Sequence, residues 1–107
     1  MRSLRLRYQR RTLYVSLSLA EQIRAQSQAA GLPVSERLRT IIIAGLAVPD
    51  PYPEPPGPQT EMLLVYLRPA EDQLVRAQAR RYRQTIAATL RRLIVTGMDA
   101  EEGRFHA

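Results

Sequence analysis

Every basic side chain in the sequence is an arginine, and 16 of them against 10 carboxylates leave the 107-residue chain at a formal charge of +6. A guanidinium stays charged at physiological pH and presents a planar fork of N–H donors. Its natural acceptors are phosphate oxygens and the paired acceptors on a guanine edge. With a pI near 10.7, the first partners to consider are a polyanion such as nucleic acid and an anionic membrane surface. An all-arginine usage also follows from a GC-rich genome, so placement matters more than number. Arg2, Arg5, Arg7, Arg10 and Arg11 fall within residues 1–11 with no acid among them. That run reads as a solvated basic arm, which beside a nucleic acid would follow phosphates or enter a narrow minor groove.

Catalytic groups are poorly provided. The single histidine, His106, sits next to the C-terminus, and no helix pattern presents spaced carboxylates and imidazoles. Cysteine is absent, which removes disulfides and thiolate metal sites. The expectation is a protein that is not an enzyme and uses no cofactor or metal. No apolar run approaches the roughly 18 residues of a membrane span, and the N-terminal residues lack the apolar block of a signal peptide. The chain reads as cytoplasmic.

The elements that would position the arginines are short. Thr12-Leu13-Tyr14-Val15-Ser16-Leu17 and Leu64-Val65-Tyr66-Leu67-Arg68 alternate apolar with polar residues, the pattern of a strand with one buried face. After the first, Ser18-Leu19-Ala20-Glu21 reads as a capping box that opens a helix running to about Ala30, a little short, with Gly31 as its stop. Pro33 suits the first turn of a second helix. Leu38, Ile41 and Ile42 point inward there, and Arg37 and Arg39 toward water. Val34 and Ile43 widen the apolar face enough to suggest packing against a twin. Residues 48–60 carry six prolines and no arginine, which predicts a polyproline-like spacer. At about 3.1 Å per residue it reaches roughly 40 Å, enough to return the chain across a small domain.

The second half repeats the first at a shift of 52 residues. Tyr14 falls on Tyr66, Arg24-Ala25-Gln26 on Arg76-Ala77-Gln78, Leu38 on Leu90, Arg39 on Arg91, Ile42 on Ile94 and Gly45 on Gly97. Matches spread over a strand and two helices indicate a duplicated unit. Pro69-Ala70-Glu71 opens its first helix, Thr85 caps its second and Gly97 lies near the end. Gly31 has become Arg83, which predicts a wider turn. The organisation is therefore arm 1–11, first unit 12–47, linker 48–60, second unit 61–98 and tail 99–107.

A lone amphipathic strand leaves its backbone groups unpaired, so the two strands should pair antiparallel over the four helices. The fold expected is mainly α with a two-stranded antiparallel ribbon. Leu13, Val15 and Leu17 would join Val65 and Leu67 inside. Thr12, Tyr14 and Ser16 would line the outer face with Leu64, Tyr66 and Arg68. A ribbon of this kind fits the major groove of B-DNA, where outward side chains reach base edges. Arg68 is the best guanine reader, and the tyrosines suit sugars or thymine methyls. Phosphates would meet Arg5, Arg7, Arg10 and Arg11 of the arm. They would also meet the free N–H groups of the second helices, near Val34-Ser35 and Ile86-Ala87. Arg76, Arg80, Arg81 and Arg83 could extend that footprint or simply face solvent.

In these features the chain resembles the ribbon-helix-helix family of DNA-binding proteins, the Arc and MetJ type repressors. The resemblance rests on Leu13-Tyr14-Val15-Ser16-Leu17, on Gly31-x-x-x-Ser35-Glu36-x-Leu38-Arg39, and on their counterparts Val65-Tyr66-Leu67-Arg68 and Thr85-Ile86-Ala87-Ala88-Thr89-Leu90-Arg91. It implies two tandem units forming a pseudo-dimer in one polypeptide, as in a few relaxosome accessory proteins of conjugative plasmids. The implied function is sequence-specific binding of double-stranded DNA, as a transcriptional repressor or a plasmid or phage regulator. The family pattern departs here in placing Tyr14 and Tyr66 where Arg, Lys, Asn or Gln more often read bases.

Residues 1–47 hold eight arginines and two acids, whereas residues 61–107 hold eight arginines and six acids. Halves that drift apart imply a preferred site that is an imperfect palindrome. A protein-interaction module, either an antitoxin or a phage-encoded inhibitor, is the competing reading. The family's antitoxins usually carry a longer partner-binding tail than residues 99–107 supply. Intramolecular pairing gives a monomer. A stiff linker also leaves open a swapped homodimer, and copies could assemble cooperatively on DNA.

Overall fold

The computed structural model describes residues 7–103. In chain order these form β1 (Gln9–Val15), α1 (Leu17–Ala30), α2 (Val34–Leu46), β2 (Glu61–Leu67), α3 (Pro69–Tyr82) and α4 (Ile86–Glu101). The bounds of β1 and α1 shifted by 52 residues are those of β2 and α3, and α2 and α4 begin at equivalent positions. The molecule is mainly helical, built from two β-α-α units packed together around a two-stranded antiparallel sheet.

The strands pair from Gln9 opposite Leu67 to Val15 opposite Glu61. Thr12 meets Leu64, its own counterpart in the repeat, so a pseudo-two-fold axis passes between them. A two-stranded ribbon is marginal alone and needs a packed face. Leu13, Val15, Leu63, Val65 and Leu67 supply it, covering Leu38, Ile41, Ile42, Leu90, Leu93 and Ile94 of α2 and α4. Each such side chain contributes roughly 1.5–3 kcal/mol relative to remaining exposed.

Both strands begin three residues earlier than the alternation suggested, and β1 therefore takes in Gln9, Arg10 and Arg11. The chain leaves the sheet at Ser16, where φ −68° and ψ 157° start the turn into α1. Of the N–H groups in the first turn of α1, that of Leu19 is accepted by the Ser16 hydroxyl at 3.2 Å. Ser16, not Ser18, is the cap, and α1 is no shorter than α3: both have 14 residues. Leu17 becomes the first helical residue and is half exposed, so it does not join the buried face as expected.

Gly31 ends α1 in the left-handed region at φ 70°, a conformation that costs glycine nothing. Arg83 adopts φ 56° at the same place in the second unit. That turn is no wider than its twin: Gln84 N–H reaches Ala79 O at 2.9 Å, as Leu32 N–H reaches Ser27 O at 3.0 Å. Arg83 carries the strain, on the order of 1 kcal/mol, that glycine avoids.

The twin of α2 is α4. Gly45 and Gly97 sit where they cross, and a Cβ at Gly45 would collide with the main-chain oxygen of Leu93, one at Gly97 with that of Ile41. The two contacts exchange under the repeat. Gly97, near the end of α4 as expected, is thus a point of close approach, and the helix closes at Glu101, whose carboxylate meets Arg37 at 2.6 Å. Val34 packs against the core, while Ile43 stays on the surface.

The linker lies against the second unit. Tyr52 N–H donates to Thr96 Oγ1 at 2.7 Å. Arg92 donates to the carbonyls of Tyr52 and Pro51 at 2.8 and 3.2 Å, and to Gln84 Oε1 at 3.0 Å. Its guanidinium also stacks 4.4 Å from the Tyr82 ring centre, so a buried charge is met on every side. The first unit has Thr40 and Ala44 in place of Arg92 and Thr96, so only one unit can hold the linker.

Candidate nucleic-acid interface

Alternation along the paired strands puts Arg10, Thr12 and Tyr14 on the outer face beside Met62, Leu64 and Tyr66. The opposed pairs are Arg10 with Tyr66, Thr12 with Leu64, and Tyr14 with Met62. Tyr14, Met62 and Tyr66 are 52%, 53% and 40% exposed. A tyrosine has only two rotatable side-chain angles and so offers a large contact area at low entropic cost.

The remaining expected readers fall at the strand ends. Arg68 follows β2, exposed, with its backbone N–H held by Glu71 Oε1 at 2.8 Å and its guanidinium forming no ion pair among the described residues. Ser16 follows β1, but its hydroxyl is engaged as the cap of α1. The sequence pattern leaves Met62 out of the outer face and gives Arg10 to phosphates. Their parity with Tyr66 and Tyr14 is the signal that places both on the outer face.

Among the arm residues, Arg5 lies outside the described residues and Arg7 is exposed just before β1. Arg11 faces inward. Its Nε and Nη2 donate to the two carboxylate oxygens of Asp72 at 2.8 and 2.9 Å, and these bonds raise its pKa above the ordinary arginine value. A guanidinium locked to a nearly buried carboxylate is a structural tie between β1 and α3 and is not free for phosphate.

Arg39 and Arg91, equivalent in the repeat, are also occupied rather than directed to water. Arg39 grips Glu71 through two bonds of 3.0 and 2.8 Å. Burial pushes the Glu71 carboxyl up, but the bonds from Arg39 and from Arg68 N–H outweigh it and hold its pKa below the ordinary value. The first unit has Leu19 where the second has Glu71. Glu54 of the linker fills that role, accepting from Arg91 at 2.6 Å while Arg91 donates to Tyr14 O at 2.9 Å. Both arginines therefore anchor ends of the ribbon.

The N–H groups of Val34 and Ser35 begin α2, and those of Ile86 and Ala87 begin α4. Cap bonds are taken by the residues that follow: Glu36 and Arg37 N–H by Pro33 O, Ala88 N–H by Thr85 Oγ1 and Thr89 N–H by Thr85 O. The first two donors of each helix take no acceptor among the described residues, and they lie at the positive end of the dipole. Beside the start of α4, Arg76, Arg80 and Arg83 line an open depression with Gln84, Thr85 and Ile86. The equivalent positions of the first unit are Arg24, Gln28 and Gly31, so the second unit offers the more basic flank. Arg81 points elsewhere, against the Tyr82 ring.

Among the described residues no group of histidine, cysteine, aspartate and glutamate comes together to hold a metal, and no helix is long and apolar enough to cross a membrane. No family model, curated protein or solved structure matches the chain.

Proposed function

We propose that the chain is a sequence-specific double-stranded DNA-binding protein of the ribbon-helix-helix kind, in which one polypeptide supplies both halves of the ribbon. The observation that carries this reading is an outer ribbon face with no carboxylate on it, bearing Arg10, Tyr14, Met62 and Tyr66 exposed. A ribbon of this width enters the major groove, where arginine meets guanine O6 and N7 and apolar groups meet thymine methyls. The unengaged N–H groups at Val34, Ser35, Ile86 and Ala87 then fall to phosphates beside the groove and fix register. Bound protein acts by occupancy, as a repressor or as a plasmid or phage regulator.

The test is a binding-site selection on random duplexes at stated salt. Arg68→Ala is expected to change sequence preference. Removal of residues 1–7 is expected to weaken binding to all duplexes and flatten the salt dependence. The truncation stops before Gln9 because β1 starts there. A chain that selects no sequence and binds no duplex even at low salt refutes the reading.

A further inference from the structure

The reading above makes the ribbon a reader of DNA, and on that basis we propose that it reads a directional site. One half is guanine-bearing and the other rich in thymine methyls, with the centre under the Thr12–Leu64 pair. In a ribbon made by two identical chains every outward side chain occurs twice, once on each side of the axis. Here the outward series are Arg10, Thr12, Tyr14, Ser16 and Met62, Leu64, Tyr66, Arg68. Only the tyrosine is shared.

The antiparallel register decides where the differences fall. Arg10 lies opposite Tyr66, and Arg68 follows two residues later, just past the end of β2, so both arginines fall at the same end of the ribbon. At the other end Met62 lies opposite Tyr14, and Ser16 is spent on the α1 cap. The outward side chains of one end therefore include two guanidiniums that form no ion pair among the described residues, and a phenol; those of the other are a thioether and a phenol, neither charged. Glu61, which ends the ladder opposite Val15, has its carboxylate near Arg24 at 3.7 Å, so it does not make the uncharged end repel phosphate. A guanine offers two acceptors in the fork geometry of arginine, and a thymine methyl offers apolar area suited to Met62 and Tyr14. The polarity of the ribbon thus becomes a polarity of the site, and the protein binds such a duplex in one orientation.

Selection from random duplexes with the full chain should return a motif with guanine steps on one side of its centre and A·T steps on the other. Arg10→Met should lower affinity for that motif by about 5- to 150-fold, the range of one bidentate guanine contact, and erase preference on the guanine side alone. The triple substitution Met62→Arg, Leu64→Thr and Arg68→Ser copies the first strand's outward residues onto the second, and should convert the motif to a palindrome. The substituted side chains are not core residues, and circular dichroism verifies folding; if the triple variant does not fold, Arg10→Met decides. A palindromic motif from the natural chain, or asymmetry surviving in the triple variant, overturns this inference while leaving DNA recognition intact. Absence of any preference overturns both.

Discussion

Replacing Gly97 with alanine tests the crossing on which the pseudo-symmetric arrangement depends. The added Cβ would overlap Ile41 O and lie 2.9 Å from Ile41 C and 3.0 Å from Gly45 N. All three are main-chain atoms, so no rotamer change relieves the contact and α2 must move from α4. A displacement of about 1 Å forfeits a quarter to a half of the dispersion energy across the gap. Overpacking of this kind costs about 1–3 kcal/mol, and the rigidity of the neighbours argues for the upper end. Alanine returns about 1 kcal/mol through helix propensity, leaving a net loss of about 2 kcal/mol. For a domain of this size that lowers the melting temperature by about 8–16 °C, measurable by circular dichroism and as a lower urea midpoint. Gly45→Ala should behave alike. The double variant should lose less than the sum, because helices already parted by one methyl accommodate the second more cheaply. A Gly97→Ala protein as stable as the parent, or more so, would refute the close crossing.

Three further outcomes are expected. Glu71 has its folded pKa below the ordinary value of 4.5, so its stabilisation is complete above that value and is lost as pH falls through the lower, folded one. Denaturant midpoints between about pH 2 and 6 should accordingly decline less steeply in Glu71→Gln than in the parent. Arg92→Ala removes the donors to Pro51 and Tyr52, so residues 48–60 should become sensitive to limited proteolysis while β1 and β2 stay paired. Ser16→Ala should cost about 1 kcal/mol in a urea melt, as loss of an N-cap does, and leave the selected DNA sequence unchanged.

Much of this architecture is legible in the chain because it depends on local rules. Alternation around Tyr14 and Tyr66 marks strands whatever they pair with, Gly31 marks a helix end because φ there is positive, and the 52-residue shift exposes the duplication. The parity that puts Tyr14 outward puts Arg10 outward too. The start of α1 was harder, since Ser16 and Ser18 are both good caps and only the point where the ladder ends selects between them. Gly97 does fall near the end of α4, but its part in the helix crossing is visible only once a second helix is seen against it.

Long-range partnership belongs to the tertiary structure. Nothing near Arg11 in sequence identifies Asp72 as its acceptor, and nothing near Arg91 identifies Glu54, because electrostatic pairing depends on distances that only packing sets. The same holds for the placement of Arg10 and Arg68 at one end of the ribbon. Each strand specifies which of its side chains point outward, but which of them become neighbours depends on an antiparallel register set when both strands settle on α2 and α4.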